Sequence, residues 1–373
     1  MAQRISSPTR FLKGGLEDCT SRGDPHIEAK GRSATAYVYD PIYLEHNLPG
    51  HPEGRERLVR IMGLLKEKGL LKRLKPIEAS PIPMEVLERV HSPDYIERVR
   101  LMAERGGGHL DLDTYMNASS YEAALKAAGG LVNLVKAILA DEVNNGFALV
   151  RPPGHHAVRD RGMGFCIFNN VAVAARFALE EGIERILIAD FDVHHGNGTQ
   201  DAFYNDPHVL YFSTHQYPYY PGTGHWSEIG EGEGRGYNVN VPLSAGVGDK
   251  GYRRIFEELL YPLAERYRPQ LILVSAGYDA HWADPLAGMK LSITGYAHLT
   301  RVLKAMAEDF CGGKIAFTLE GGYHLEVLAY SVLNTFRVLL GDEDVLDPLG
   351  PSPSPERSVN TLLAQLREFH SLD

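Results

Sequence analysis

Residues 186–199 read ILIADFDVHHGNGT, an apolar run that passes without a break into Asp190, Asp192, His194 and His195. A short apolar run ending in polar residues and glycine has the form of a buried strand. In open parallel sheets, ligands bind beyond the carboxyl ends of the strands, and these side chains fall there. Asp190, Asp192 and His194 lie two residues apart, so an extended segment would send them to one side. Carboxylate oxygen and imidazole nitrogen suit zinc or a similar divalent ion, and a catalytic zinc takes three protein ligands and keeps a fourth position open. A strand-end turn with solvated polar residues would account for one Asp-x-His. Four such groups in so short a stretch favour a metal or catalytic centre.

Around this strand, short apolar runs at 34–39, 147–150, 209–212, 237–241, 271–275 and 315–319 alternate with helical stretches at 55–68, 119–140, 170–181, 251–266 and 294–309. Strands separated by helices imply parallel pairing, and the pattern predicts one doubly wound α/β domain. Residues 1–33 are polar and aperiodic and are expected to form an N-terminal tail or arm. The catalytic domain is expected over 34–345. In 346–373 a Pro/Ser-rich break precedes Leu362, Leu363, Leu366 and Phe369, whose spacing predicts a C-terminal helix docked on the body.

Composition narrows the function. The chain has 373 residues and a formal net charge of −10 with no cluster of Lys and Arg, which disfavours direct nucleic-acid binding because phosphate contacts need concentrated positive charge. Cys19, Cys166 and Cys311 are too few and too scattered for a disulfide framework or a Cys-rich zinc site, so a reducing cytoplasm is the expected setting. No apolar run reaches signal-peptide or membrane-span length. A homo-oligomer remains compatible with the sequence.

Three more strand ends carry reactive groups. RPPGHHAVRDRGMGFCIF, residues 151–168, places His155 and His156 after a strand, with Gly162, Gly164 and Phe165 where a backbone could approach a substrate closely. Paired imidazoles suit a general base and an electrostatic partner, although two adjacent histidines alone are commonly surface residues. Cys166 reads as a small buried residue. SAGYDAHWADP places Asp279 after the 271–275 strand as a third metal ligand, and TLEGGYHL places Tyr323 after the 315–319 strand, beyond a flexible glycine pair, as an oxyanion donor. Each alone would be an ordinary loop residue; their complementary chemistry at four strand ends points to one site.

Together RPPGHH, GFCIFNN, DFDVHHGNGTQ, YPGTG, SAGYDAHWADPLAG and LEGGYHL resemble the histone deacetylase and acetylpolyamine amidohydrolase superfamily over roughly residues 35–340, with HPEGRERL near the front. The resemblance implies a single arginase/deacetylase-like domain with a central parallel sheet of about eight strands flanked by helices. It makes Asp192, His194 and Asp279 the zinc ligands and His155, His156 and Tyr323 the catalytic groups, with Asp190 behind His155 and Asn197 behind His156. His156 would accept the proton of the attacking water, His155 would stabilise charge, and Tyr323 would hold the oxyanion. Asparagine at 197, where class I deacetylases carry aspartate, makes the chain similar to the class II branch and its bacterial lysine deacylases.

The same resemblance implies structural potassium at Asp190, Asp192, His194, Ser213 and the Thr214 carbonyl, and a second potassium near Phe203, Asp206, Val209 and Tyr237. Gly164, Phe165, Tyr220 and Leu286 would line the substrate channel. Tyr220 departs from the phenylalanine most relatives carry. Leu286 stands where polyamine-selective members carry a glutamate, so an acyl-lysine is the expected substrate and an acetylpolyamine the alternative. A dinuclear ureohydrolase would need more bridging carboxylates than DFDVHH and GYDAH supply. A silent acyl-lysine binder is disfavoured by intact His155, His156 and Tyr323.

Overall fold

The computed structural model describes residues 34–372; the expected arm at 1–33 lies outside them. The strands are β1 (Thr35–Val38), β2 (Lys75–Ile77), β3 (Gly107–His109), β4 (Tyr115–Asn117), β5 (Asn145–Ala148), β6 (Ile186–Asp190), β7 (Val209–Gln216), β8 (Asn238–Leu243), β9 (Leu271–Ala276) and β10 (Ile315–Leu319). Eight form one sheet in the order β2-β1-β5-β10-β9-β6-β7-β8, and β3 and β4 form a separate antiparallel hairpin. All seven pairings in the large sheet are parallel. Every residue of β5, β6, β9 and β10 is buried, as expected of central parallel strands covered on both faces.

The order of assembly positions the site. Helix Asn170–Glu180 carries the chain from β5 to β6 across a gap of two strands. The helix starts cleanly because the Asn169 side chain accepts the amide of Ala172 at 3.0 Å. The chain then builds β7 and β8 outward, returns, and fills the gap with β9 and β10. Strand order therefore reverses between β5 and β6, and the carboxyl ends of β5, β10, β9 and β6 open side by side into the crevice where α/β sheets bind ligands.

Several elements differ from the sequence expectation. β2 is a three-residue edge strand, KPI, with a proline and little burial, so no apolar run marked it. Helix Leu325–Leu339 carries Glu326, Ser331, Asn334, Thr335 and Arg337 among its apolar residues and lies outside the helical stretches expected from sequence. Helix Pro93–Glu104 carries a signal that went unused: Ser92 caps it and Pro93 occupies its first turn. The helix expected over 251–266 is Asp249–Ile255, a π-helical turn at Phe256–Leu260, and Tyr261–Tyr267; Pro262, which has no amide proton to donate, lies in the first turn of the last piece. Helix Asn360–Phe369 buries Leu363 and Leu366 and sets Phe369 edge-on against Trp226 at 5.0 Å. Among the described residues, no helix is long and apolar enough to cross a membrane.

Candidate active site

β6 ends at Asp190, so the residues that follow do not share a side by strand alternation. Their convergence comes from two successive side-chain turns instead: Asp190 Oδ1 accepts the amide of Asp192 at 3.1 Å, and Asp192 Oδ1 accepts that of His194 at 2.9 Å. The folded segment brings His194 Nδ1 to 3.2 Å from Asp192 Oδ1 and 3.3 Å from Asp279 Oδ2, the latter arriving from the end of β9. One donor atom from each of the three lies within 4.8 Å of the others.

This trio fits a divalent cation. Asp192 Oδ2 accepts the amide of Gly321 at 2.8 Å and Asp279 Oδ1 that of Val193 at 2.9 Å, which orients both carboxylates. Asp279 Oδ2 is buried with no well-formed hydrogen bond, its near polar neighbour being His194 Nδ1 at 3.3 Å, an expensive state for a carboxylate oxygen unless a ligand completes it. Burial and the neighbouring Asp192 charge push the Asp279 carboxyl up to about 7. Burial opposes a charge on His194, but hydrogen bonds and charge from Asp192 and Asp279 outweigh it and lift the imidazole to about 10. A proton held this tightly between two carboxylates marks the place where a metal ion would replace it.

The histidine pair follows β5 after a cis Arg151–Pro152 bond. His155 Nδ1 meets Asp190 Oδ2 at 3.0 Å, and His156 Nδ1 meets Asn197 Oδ1 at 2.9 Å. Their electrostatics diverge. Burial opposes protonation of both, but Asp190, Asp192 and Glu320 raise His155 to about 10, whereas burial reinforced by the His155 and His194 charges drives His156 well below the usual imidazole range. Gly164 lies against this ring: its φ is +55°, and a Cβ there would stand 2.4 Å from His156 Cδ2. The next residue, Phe165, holds a φ of +70° and donates its amide to Thr114 Oγ1 at 3.0 Å. An aromatic in this region is uncommon and clusters at functional sites.

Beyond β10, Gly321 allows close approach rather than flexibility. A Cβ at 321 would stand 2.2 Å from Asp279 Oδ2 and 2.6 Å from Asp192 Oδ2. Tyr323 follows, its amide bound by Asp284 Oδ2 at 2.7 Å and its ring edge-on to Phe165 at 5.9 Å. Burial and the nearby Asp279 charge keep its hydroxyl protonated. The surrounding ion network was not anticipated. Arg57 donates to the Gly322 carbonyl at 2.8 Å, to the Glu320 carbonyl at 2.5 Å and to Glu53 Oε1 at 3.0 Å; Glu53 also takes Arg151 Nε at 2.5 Å. Burial works against the Glu53 carboxylate, but Arg151 and Arg57 outweigh it and hold it ionised. Glu53 and Arg57 lie in HPEGRERL and Glu320 in LEGGYHL, so charged residues inside the recognised motifs were the available signal.

A cavity of about 250 Å³ opens over these groups, lined by His155, His156, His194 and Tyr323 at its floor and by Gly164, Phe165, Tyr220 and Leu286 on its walls. Tyr220 stands edge-on to His156 at 5.2 Å. Tyr219, which no motif marks, stacks on His194 at 5.7 Å, and Asp113, from the acidic loop between β3 and β4, also reaches the lining. Of the residues expected around potassium, Ser213 pairs with Asp190 across β6 and β7, and Thr214 Oγ1 is buried without a partner. In the second set, Asp206 Oδ2 is held by Arg176 at 2.5 Å, with the guanidinium over the Phe203 ring. The Tyr237 carbonyl accepts the amide of Tyr211, and Val209 is a buried β7 residue.

A parallel α/β sheet with carboxylates and imidazoles gathered at its point of strand reversal offers the groups a metal-dependent hydrolase uses. Residues 51–339 match the histone deacetylase domain, and the chain belongs to that family. It is 42% identical over 341 residues to a probable deacetylase of Archaeoglobus fulgidus, covering 90% of this chain and 92% of that one. It is 41% identical to the human polyamine deacetylase HDAC10, covering 89% of this chain and 50% of that protein. The crystal structure of the HDA15 HD domain superimposes with a TM-score of 0.84 at 38% identity, over 92% of this chain and 95% of that one.

Proposed function

We propose that the protein removes the acyl group from an acylated lysine side chain, using one zinc ion held by Asp192, His194 and Asp279. The observation that carries this is the buried cluster of Asp192, His194 and Asp279, whose donor atoms converge while Asp279 Oδ2 makes no well-formed hydrogen bond, with two histidines of opposite electrostatic character lining the same cavity. Bound there, the ion would polarise the substrate carbonyl and acidify a water.

The chain's own groups supply the rest. The Asn197 amide oxygen accepts from His156 Nδ1–H, which fixes the tautomer that leaves Nε2 as a proton acceptor, and its depressed pKa keeps it neutral at pH 7. His156 then takes the water's proton and returns it to the leaving amine. His155, held protonated against Asp190, offers positive charge to the developing oxyanion. Tyr323 donates its hydroxyl to the same oxygen, a contribution of about 2.7–4 kcal/mol for such donors. Phe165 and Tyr220 flank the aliphatic stem, and Leu286 adds apolar contact.

A second reading, hydrolysis of an acetylated polyamine, is favoured by one observation: Asp113 puts a carboxylate in the cavity lining, where it could pair with a cationic chain. The two are separated by comparing kcat/KM on an acetyl-lysine peptide and on N-acetylputrescine for the wild type and Leu286→Glu. The lysine reading expects the wild type to prefer the peptide and the glutamate to shift preference toward the amine; a wild type markedly faster on acetylputrescine establishes the second reading.

The strand register that sets Ser213 beside Asp190 is consistent with one structural potassium at Asp190, Asp192, His194, Ser213 and the Thr214 carbonyl. We place the catalytic domain at 34–345, with 346–373 as an addition to it. The free, buried Cys166 and Cys311 suit a reducing cytoplasm, and the charge of −10 argues against direct contact with nucleic acid.

A further inference from the structure

Glu320 is fully buried at the end of β10, three residues before Tyr323. Its Oε2 accepts the amides of Gly154 at 2.7 Å and His155 at 3.2 Å, and its Oε1 accepts the Ser275 hydroxyl at 3.1 Å. The origin of this side chain is fixed as well. The Glu320 amide donates to the Ala276 carbonyl at 3.0 Å, and its own carbonyl is held by Arg57 at 2.5 Å. One carboxylate therefore joins the segment that presents the histidines to the segment that presents Tyr323, and anchors both to β9.

We infer that Glu320 is a positioning residue that sets the distance between the His155–His156 pair and the Tyr323 hydroxyl by tying the amides of Gly154 and His155 to the end of β10. The inference rests on the proposed roles of those histidines and of Tyr323. Its physical basis is reach. An N–H···O hydrogen bond needs a donor–acceptor distance of about 2.7–3.2 Å, and rate is sensitive to ångström-scale displacement of groups that act together on one substrate atom. Neither amide has another acceptor among the described residues that would keep the segment in place. What the two amides need is an oxygen at the right position; the Glu320 charge also helps to raise His155, but after Asp190 and Asp192, which remain in both variants below.

Two substitutions separate reach from charge. Glu320→Gln keeps the length, so its amide oxygen can accept both N–H groups while its NH2 donates to Ser275. Glu320→Asp keeps the charge but is one methylene shorter and falls short of the two amides. Full-length enzyme carrying each change is assayed for bound zinc per chain, thermal unfolding, kcat and KM. The expected result is near-stoichiometric zinc and little change of KM in both, kcat within about fivefold of wild type for Gln, and a loss of roughly a hundredfold in kcat for Asp. Wild-type turnover in Glu320→Asp, or a greater loss in Glu320→Gln than in Glu320→Asp, overturns the inference. Tyr323→Phe is run beside them. If it turns over at the wild-type rate, the reading of the site itself fails; if it is slow while Glu320→Asp is not, only the role of Glu320 fails.

Discussion

Replacing Gly321 with alanine tests the metal site through a single added methyl group. A Cβ there would stand 2.2 Å from Asp279 Oδ2 and 2.6 Å from Asp192 Oδ2, where ordinary contact begins at 3.4 Å. The two oxygens must therefore retreat by 1.2 and 0.8 Å, the differences from 3.4 Å. Backbone conformation does not contribute, since Gly321 is not in the left-handed region. Metal ligands tolerate displacements of about 0.2 Å, so both carboxylates would be carried well beyond a coordinating position. We expect zinc affinity to fall at least about a hundredfold, or roughly 2.7 kcal/mol. The assay is a competition titration against a chelator of known affinity at fixed pH, with metal content per chain measured in parallel. A Gly321→Ala protein that binds zinc within threefold of the wild-type affinity would refute the assignment of Asp192 and Asp279 as ligands.

Gly63 provides the matching control: it is exposed in helix Glu56–Glu67 and a Cβ there would meet no heavy atom within 4 Å, so Gly63→Ala should raise stability by about 0.5–1 kcal/mol in thermal unfolding without touching zinc affinity. His156→Ala should slow the chemical step more than His155→Ala, because only His156 is held neutral by burial and its charged neighbours; single-turnover rates that are equal or reversed would reassign the base. Zinc affinity should rise as pH rises. His194 is held protonated up to about 10 and Asp279 to about 7, so both must lose protons to bind, and acidification should release the metal; affinity that is flat between about pH 6 and 8 would contradict the ligand set.

From sequence alone, the parallel α/β class, the strands at the centre of the sheet and the identity of the reactive groups were legible, because each reactive group follows a strand whose continuous apolar run marks it as buried. Asp190, Asp192, His194, His155, His156, Asp279 and Tyr323 could be named on that basis with the ordered motifs. The sequence could not say how they converge. Asp192 and His194 point together through two side-chain turns after β6 has ended, a geometry that a spacing of two residues suggests for the wrong reason. Gly321 reads as a flexible position and Gly164 as one that lets the backbone approach a substrate, yet close packing against carboxylates and an imidazole is what requires them. Glu53, Arg57, Arg151 and Glu320 are charges far apart in the chain that only the folded sheet brings into one buried network, since local periodicity carries no information about pairing over 98 or 263 residues. The electrostatic difference between the two histidines is likewise set in three dimensions. His155 and His156 are neighbours of one type, and they differ because one faces the carboxylate of Asp190 and the other the neutral amide of Asn197.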